Sequence, residues 1–253
     1  MTPETSRHAD PDADMVRAGV AERTVAFAAA AARLTDADVR SPSGLPGWTR
    51  GHVLAHVRLN AEAFVGVLAS AAAGDLGRMY PSRESRDADI EAGAGASAAE
   101  HVAGLLDSAE RLAADWAALP ATALDGRFTT RAGLVRPVHE VAFFRWREVV
   151  LHHVDLHPAD SSPHPPALVL AAAGPLVVRL LDETCSMFAA RDDVPPLAVS
   201  ATDVGRDWVV GDAPTGRTAV SGGAPALAAW LTGRSDGADL TASGPLPALP
   251  AWA

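Results

Sequence analysis

Leu45-Pro46-Gly47-Trp48-Thr49-Arg50-Gly51-His52-Val53-Leu54-Ala55-His56 decides how the first half of this chain is read. Ser41 to Gly47 is punctuated by two prolines and two glycines and reads as a loop. Trp48-Thr49 then opens a helix, with Thr49 placed to act as its N-cap. His52 and His56 are four residues apart, so they share one helix face, roughly 6 Å apart at Cβ. The spacing recurs far along the chain in Arg147-Glu148-Val149-Val150-Leu151-His152-His153. Glu148 and His152 can grip one ion from one helix, and His52 or His56 can close the site from another. Two imidazoles and a carboxylate form the ligand set of a catalytic zinc, which keeps one position open for water or substrate.

Outward from these segments, apolar residues at helical spacing predict a first helix over Met15 to Leu34. The helix opened by Thr49 runs to about Ala73. Gly74 to Gly95 reads as a long charged connection around Tyr80-Pro81-Ser82-Arg83-Glu84-Ser85-Arg86. Ala98 to Leu119 is a third helix, stopped by Pro120. Pro137 suits the first turn of a fourth, which ends near Leu156. Four amphipathic helices predict a bundle, a common host for metal sites. His157 to Pro166 is a proline-rich linker and separates residues 1–157 from a second domain, 167–253. That domain reads as a small α+β layer. Its elements are a helix over Ala167 to Ala190, strands at Leu197–Ala201, Arg206–Val210 and Thr218–Gly222, a helix over Ala224–Thr232 and a last strand at Leu240–Ser243. The expected fold class is therefore α plus α+β. No internal repeat or nucleotide-binding glycine fingerprint is present.

Composition narrows the function classes. Hydrophobic residues make up 48% of the 253, which is the makeup of a folded globular chain. A net charge of −10 argues against nucleic acid as a partner. The single cysteine, Cys185, permits no internal disulfide or thiolate cluster, and its apolar helical surroundings predict a buried, inert thiol. Met1 to Asp14 has no signal-peptide pattern, and no apolar run approaches the roughly 20 residues of a membrane span. A soluble cytoplasmic protein without membrane partners is expected.

The histidine pairs also have plain readings. Glu148 and His152 could simply be an ion pair that supports a helix. Both segments are otherwise strongly apolar, however, and a polar pair buried in an apolar helix needs a partner. Of the two histidines in the first segment, His56 lies one turn deeper and is favoured as ligand, leaving His52 to line or cap the site. His153 points about 100° away from His152. Asp155 reads either as an acceptor behind the site or as a solvated carboxylate at the helix end. A surface position is expected for His139, and no pattern supports His8, His101, His157 or His164. Arg83, Arg86 and Arg234 are candidates to hold a substrate carboxylate, since the guanidinium fork pairs with it in two-point fashion. Each also reads as an ordinary surface arginine.

The Leu45–His56 stretch resembles the signature that opens the second helix of DinB-like metal proteins. Within that group the chain is most similar to the mycothiol-dependent maleylpyruvate isomerases of actinobacteria. Further matching stretches are Tyr80-Pro81-Ser82-Arg83 with Arg86 to Gly95, Arg145-Trp146-Arg147-Glu148-Val149 with His152 to Leu156, and Ala229-Trp230-Leu231-Thr232-Gly233-Arg234. The resemblance implies a DinB-like four-helix bundle followed by a sterol-carrier-like α+β domain. It implies His56, Glu148 and His152 as ligands of Zn²⁺ or another divalent ion, His52 at the cofactor site, and mycothiol as thiol cofactor. It further implies conversion of maleylpyruvate to fumarylpyruvate in aromatic catabolism, with Arg234 first and Arg83 in reserve as the carboxylate-holding catalytic group. Partners would be a small dicarboxylate and a low-molecular-weight thiol, and the chain would work as a monomer. The alternatives are a mycothiol S-transferase of the same superfamily and a metal-stabilised, non-enzymatic ligand-binding protein. His157 to His164 departs from the family's Gly-rich aromatic segment at that point.

Overall fold

The computed structural model describes residues 11–157, 165–211 and 216–252, with side chains from Asp14 onward. They form two units divided between Leu156 and His157.

In the first unit the four expected helices are α1 (Pro11–Ala31), α3 (Arg50–Ala72), α5 (Ala98–Ala118) and α6 (Val141–Asp155). α3 packs on α5 and α6, and α1 packs on α6. Phe27, Val53, Leu54, Val57, Leu105, Val149 and Leu156 knit them into one apolar core. By length and composition α3 is apolar enough to cross a membrane, contrary to the expectation from the sequence. Val53, Leu54, Val57, Phe64 and Leu68 of this helix are buried in the unit.

The segment expected to be a long connection is largely structured. A short helix α2 (Asp36–Val39) precedes α3, and β1 (Gly77–Arg78) and α4 (Arg83–Gly93) follow it. Ser82 caps α4 by accepting from the backbone N–H of Ser85, while Ile90 is its buried anchor. Its other residues are mostly charged or small, so the segment resembles a solvated loop in sequence. It is drawn against α3, where Gly51 permits the close approach: a Cβ there would lie 2.1 Å from the carbonyl oxygen of Ala94. β1 pairs in parallel with β2 (Arg127–Thr129), and β2 pairs antiparallel with β3 (Val135–Pro137). Pro137 therefore ends a strand, and a 3₁₀ turn at Val138–Glu140 intervenes before α6.

In the second unit the expected single helix is two, α7 (Pro166–Ala171) and α8 (Leu176–Ala189). The break falls at Gly174, whose φ of 61° is left-handed, and at Pro175. β4 (Leu197–Ala201), β5 (Arg206–Val210), β6 (Thr218–Gly222) and β7 (Thr241–Ala242) form a sheet in the order β5-β4-β6-β7. β4 and β6 are parallel, and the other two pairings are antiparallel. α9 (Ala224–Leu231) lies between β6 and β7 in sequence. Cys185 is buried in α8, and burial pushes its thiol up to about 12. Residues 158–164, most of the expected linker, lie outside the described residues, as do His8 and His164.

Candidate metal centre

α3 and α6 bring His56, Glu148 and His152 together, with one ligand atom from each lying within 4.8 Å of the others. His56 Nε2 is 3.0 Å from Glu148 Oε2, and His152 Nε2 is 3.4 Å from the same oxygen. The two imidazoles meet edge to face at 4.6 Å between centroids. Glu148 Oε1 accepts from Arg147 Nη2 at 3.3 Å.

The residues behind the cluster make the two histidines unequal. His152 Nδ1 faces the buried carboxylate of Asp155 at 2.9 Å. A carboxylate only accepts, so Nδ1 carries a hydrogen, and Nε2 on the far side of the ring faces the Glu148 carboxylate. His56 Nδ1 faces Arg86 Nη2 at 3.2 Å. A guanidinium only donates, so here Nδ1 accepts. Burial first, and the neighbouring His152 and Arg86 charges after it, lower the His56 pKa to about 4 against the pull of Glu148. Burial acts the same way on His152, but hydrogen bonds to Asp155 and Glu148 overrule it and hold its pKa above the usual value. Burial would raise the Glu148 carboxyl, but hydrogen bonds from both histidines hold it well below the carboxylate range. Charge is thus favoured on Glu148 and His152, two of the three donors of the types a divalent ion takes. The donor set fits a cation held by two imidazoles and a carboxylate, with Asp155 fixing one of the rings.

The other sequence candidates separate clearly. His52 belongs to its own helix end: it completes a capping box with Thr49, accepting from the Thr49 backbone N–H at Nδ1 over 3.2 Å. Its Nε2 lies 3.0 Å from Glu91 Oε2, and its ring stacks on Trp48. Trp48 in turn stands edge-on to His56 at 5.6 Å. His153 points away from the cluster and packs edge-on to Phe27. Arg83 has 74% of its side chain exposed and pairs loosely with Asp87 at 3.7 Å. Arg86, one turn on and 11% exposed, is the α4 arginine that reaches the cluster. Arg234 lies in the second unit, where its Nη1 donates to the Thr232 carbonyl at 2.6 Å. Beneath the cluster the fully buried Arg145 donates from Nη1 to the Val57 carbonyl at 2.7 Å and to Asn60 Oδ1 at 3.0 Å. Burial lowers its pKa to about 10. Neither Arg145 nor Tyr80 stood out by helical spacing as a site residue.

A family model for the mycothiol maleylpyruvate isomerase N-terminal domain matches residues 20–157, the segment that holds all three clustered side chains. The chain belongs to this family. Two solved structures share the fold: that of the mycothiol-dependent maleylpyruvate isomerase, with a TM-score of 0.85, and that of a histidine-to-alanine mutant of it, with 0.82. Each is 23% identical to this chain, with 95% of this chain and 97% of the other covered. No curated protein sequence matches.

Proposed function

We propose that the family member described here is a metal- and mycothiol-dependent isomerase that converts maleylpyruvate to fumarylpyruvate. The observation that carries this reading is the convergence of His56, Glu148 and His152 in a chain whose family is named for that chemistry. These three residues would hold Zn²⁺ or another divalent ion of similar preference. When bound, such an ion lowers the pKa of a coordinated thiol, so that a thiolate is available at neutral pH. The chain's own cysteine is buried and protonated, so the nucleophile has to come from a small thiol.

The chemistry then balances without any other reagent. The thiolate sulfur forms a bond to one carbon of the cis double bond, and the π pair moves onto the conjugated carbonyl oxygen as an enolate. The former double bond is now single and rotates. Collapse of the enolate re-forms the double bond in the trans arrangement and expels the thiolate. The protein's part is to place the substrate and hold its charge. Arg86 supplies a cation against His56. Asp155 keeps His152 in the ligating tautomer. A cytoplasmic monomer is the setting in which we propose this activity.

The test is conversion of maleylpyruvate with and without mycothiol, before and after chelation, with His56→Ala alongside. Turnover that needs thiol, metal and His56 together establishes the isomerase. Metal bound through His56 without turnover sinks the isomerase and favours thiol transfer to another electrophile. A protein that binds no divalent ion sinks the site itself.

A further inference from the structure

Tyr80 is the only tyrosine in the chain, and it stands beside the metal centre. The end of β1 sets its place, since the backbone N–H of Met79 donates to the Thr129 carbonyl at 3.1 Å. Pro81 and the Ser82 cap then lead directly into α4, which carries Arg86. The Arg86 guanidinium lies over the Tyr80 ring, 5.7 Å from its centroid, and touches His56 at the same time. The half-buried Tyr80 also faces the Asn60 side chain, one turn beyond His56 on α3, and feels the Glu148 charge.

A count of donors and acceptors around its hydroxyl is informative. Asn60 spends its carbonyl oxygen on the buried Arg145, whose Nη1 donates to Oδ1 at 3.0 Å. Toward Tyr80 the Asn60 side chain acts to lower the phenol pKa, as its amide NH₂ does when it donates to the phenol oxygen. Arg86 has only N–H groups to offer. Both polar neighbours act on the Tyr80 oxygen as donors, each lowering the phenol pKa. Glu148, the nearby carboxylate, accepts from His56, His152 and Arg147. With donors acting on its oxygen, the Tyr80 hydroxyl has its hydrogen to offer an anionic ligand.

We propose that Tyr80 is a substrate-binding residue whose O–H donates to an anionic oxygen of a small carboxylate ligand at the metal centre, beside Arg86. This rests on the isomerase reading for the identity of the substrate, but the anion site can be tested without turnover. A phenol and a guanidinium on one wall make a donor pair for a carboxylate, and a hydrogen bond to a charged acceptor outweighs a neutral one.

The lone tyrosine makes the experiment direct. Protein grown with 3-fluorotyrosine carries one ¹⁹F resonance, from position 80. The zinc-loaded protein is titrated with maleate, a cis-dicarboxylate, and binding is read by ¹⁹F shift and by calorimetry. The expected result is a saturating shift with the calorimetric Kd, and a Kd about tenfold weaker in Tyr80→Phe. Zinc affinity should be unchanged in that variant, which shows that the fold and the metal ligands survive. Equal maleate affinity in wild type and Tyr80→Phe overturns the proposal, as does a resonance that ignores bound maleate. Failure of maleate to bind the wild type also overturns it, whereas the isomerase reading stands or falls separately on turnover of maleylpyruvate with mycothiol.

Discussion

Two helical segments of the first unit carry the same spacing of polar residues and use it differently. In α6, Glu148 and His152 both turn to one point, where their ligand atoms meet His56. In α3, His52 and His56 part company: His56 enters the cluster, while His52 folds back on the helix start. Four-residue spacing fixes the face of a helix but not the work done there. The difference comes from distance to the helix end. Backbone N–H groups in the first turn have no partner within the helix, and a side chain there is drawn to the cap. One turn deeper that demand is gone, and the ring is free to serve the core-facing site.

The sharpest way to break this contrast is to exchange which histidine is lost. His56→Ala is expected to abolish stoichiometric divalent-metal binding and to lower thiol-dependent turnover at least about a hundredfold, because two of three protein ligands rarely hold a catalytic ion. Metal content after gel filtration and a turnover assay read both effects. If His56→Ala keeps a full equivalent of metal at its wild-type affinity, the cluster is not the centre.

Within the cluster a second contrast sets His152, backed by a carboxylate, against His56, backed by a guanidinium. Asp155→Asn keeps the size of the group and removes its charge. We expect metal affinity to fall about 10- to 100-fold, measured by competition with a chelator of known affinity. An unchanged affinity would reduce Asp155 to a structural acceptor. The same contrast sets the response to pH. The pKa of His152 is raised above its ordinary 6.5, so from there up to its folded value a proton still competes for it. Metal affinity should rise with pH across that window, by up to about tenfold per unit for one displaced proton, and then level off. In Asp155→Asn the plateau should begin at lower pH. His56 has the opposite sign. Its folded pKa of about 4 lies below the ordinary 6.5, so between these values the unfolded chain binds a proton that the folded chain refuses. The stability this gives the metal-free protein is complete above pH 6.5 and is lost as pH falls toward 4. A metal-free unfolding midpoint that does not fall between pH 6.5 and 4 would contradict the buried neutral state of His56.

The parts of this molecule that were legible in the sequence are those where local and tertiary signals agree. Thr49 announces α3, and the apolar runs around His56 and around Glu148 and His152 mark these polar groups as set in buried helices. α4 resembles a loop in sequence because it is strongly charged and buries only Ile90. Arg83 and Arg86 look equivalent in a loop, but on a helix drawn against α3 at Gly51 they differ in direction, and only Arg86 meets His56. β1, β2 and β3, two or three residues each, are too short to show alternation and exist through their pairing. The break between α7 and α8 was present as Gly174-Pro175 and was overridden by the apolar run around it. Tyr80 left no periodic trace, and its role follows from neighbours far apart in sequence.

The smallest expected effect returns to the first contrast. His52→Ala removes the side-chain half of the α3 capping box and should destabilise the protein by about 1 kcal/mol, seen as a lower denaturation midpoint with an unchanged denaturant slope. Metal stoichiometry should stay at the wild-type value. His52→Glu is the informative partner, because Thr-x-x-Glu is itself a capping-box sequence and should restore most of the loss. The carboxylate can accept from the Thr49 backbone N–H as the His52 ring does, whereas nothing in that exchange would rescue a lost imidazole ligand. Rescue by glutamate with metal retained therefore assigns His52 to the helix end. A fall in metal affinity in both variants would instead draw His52 into the site and erase the distinction between the two histidines of α3.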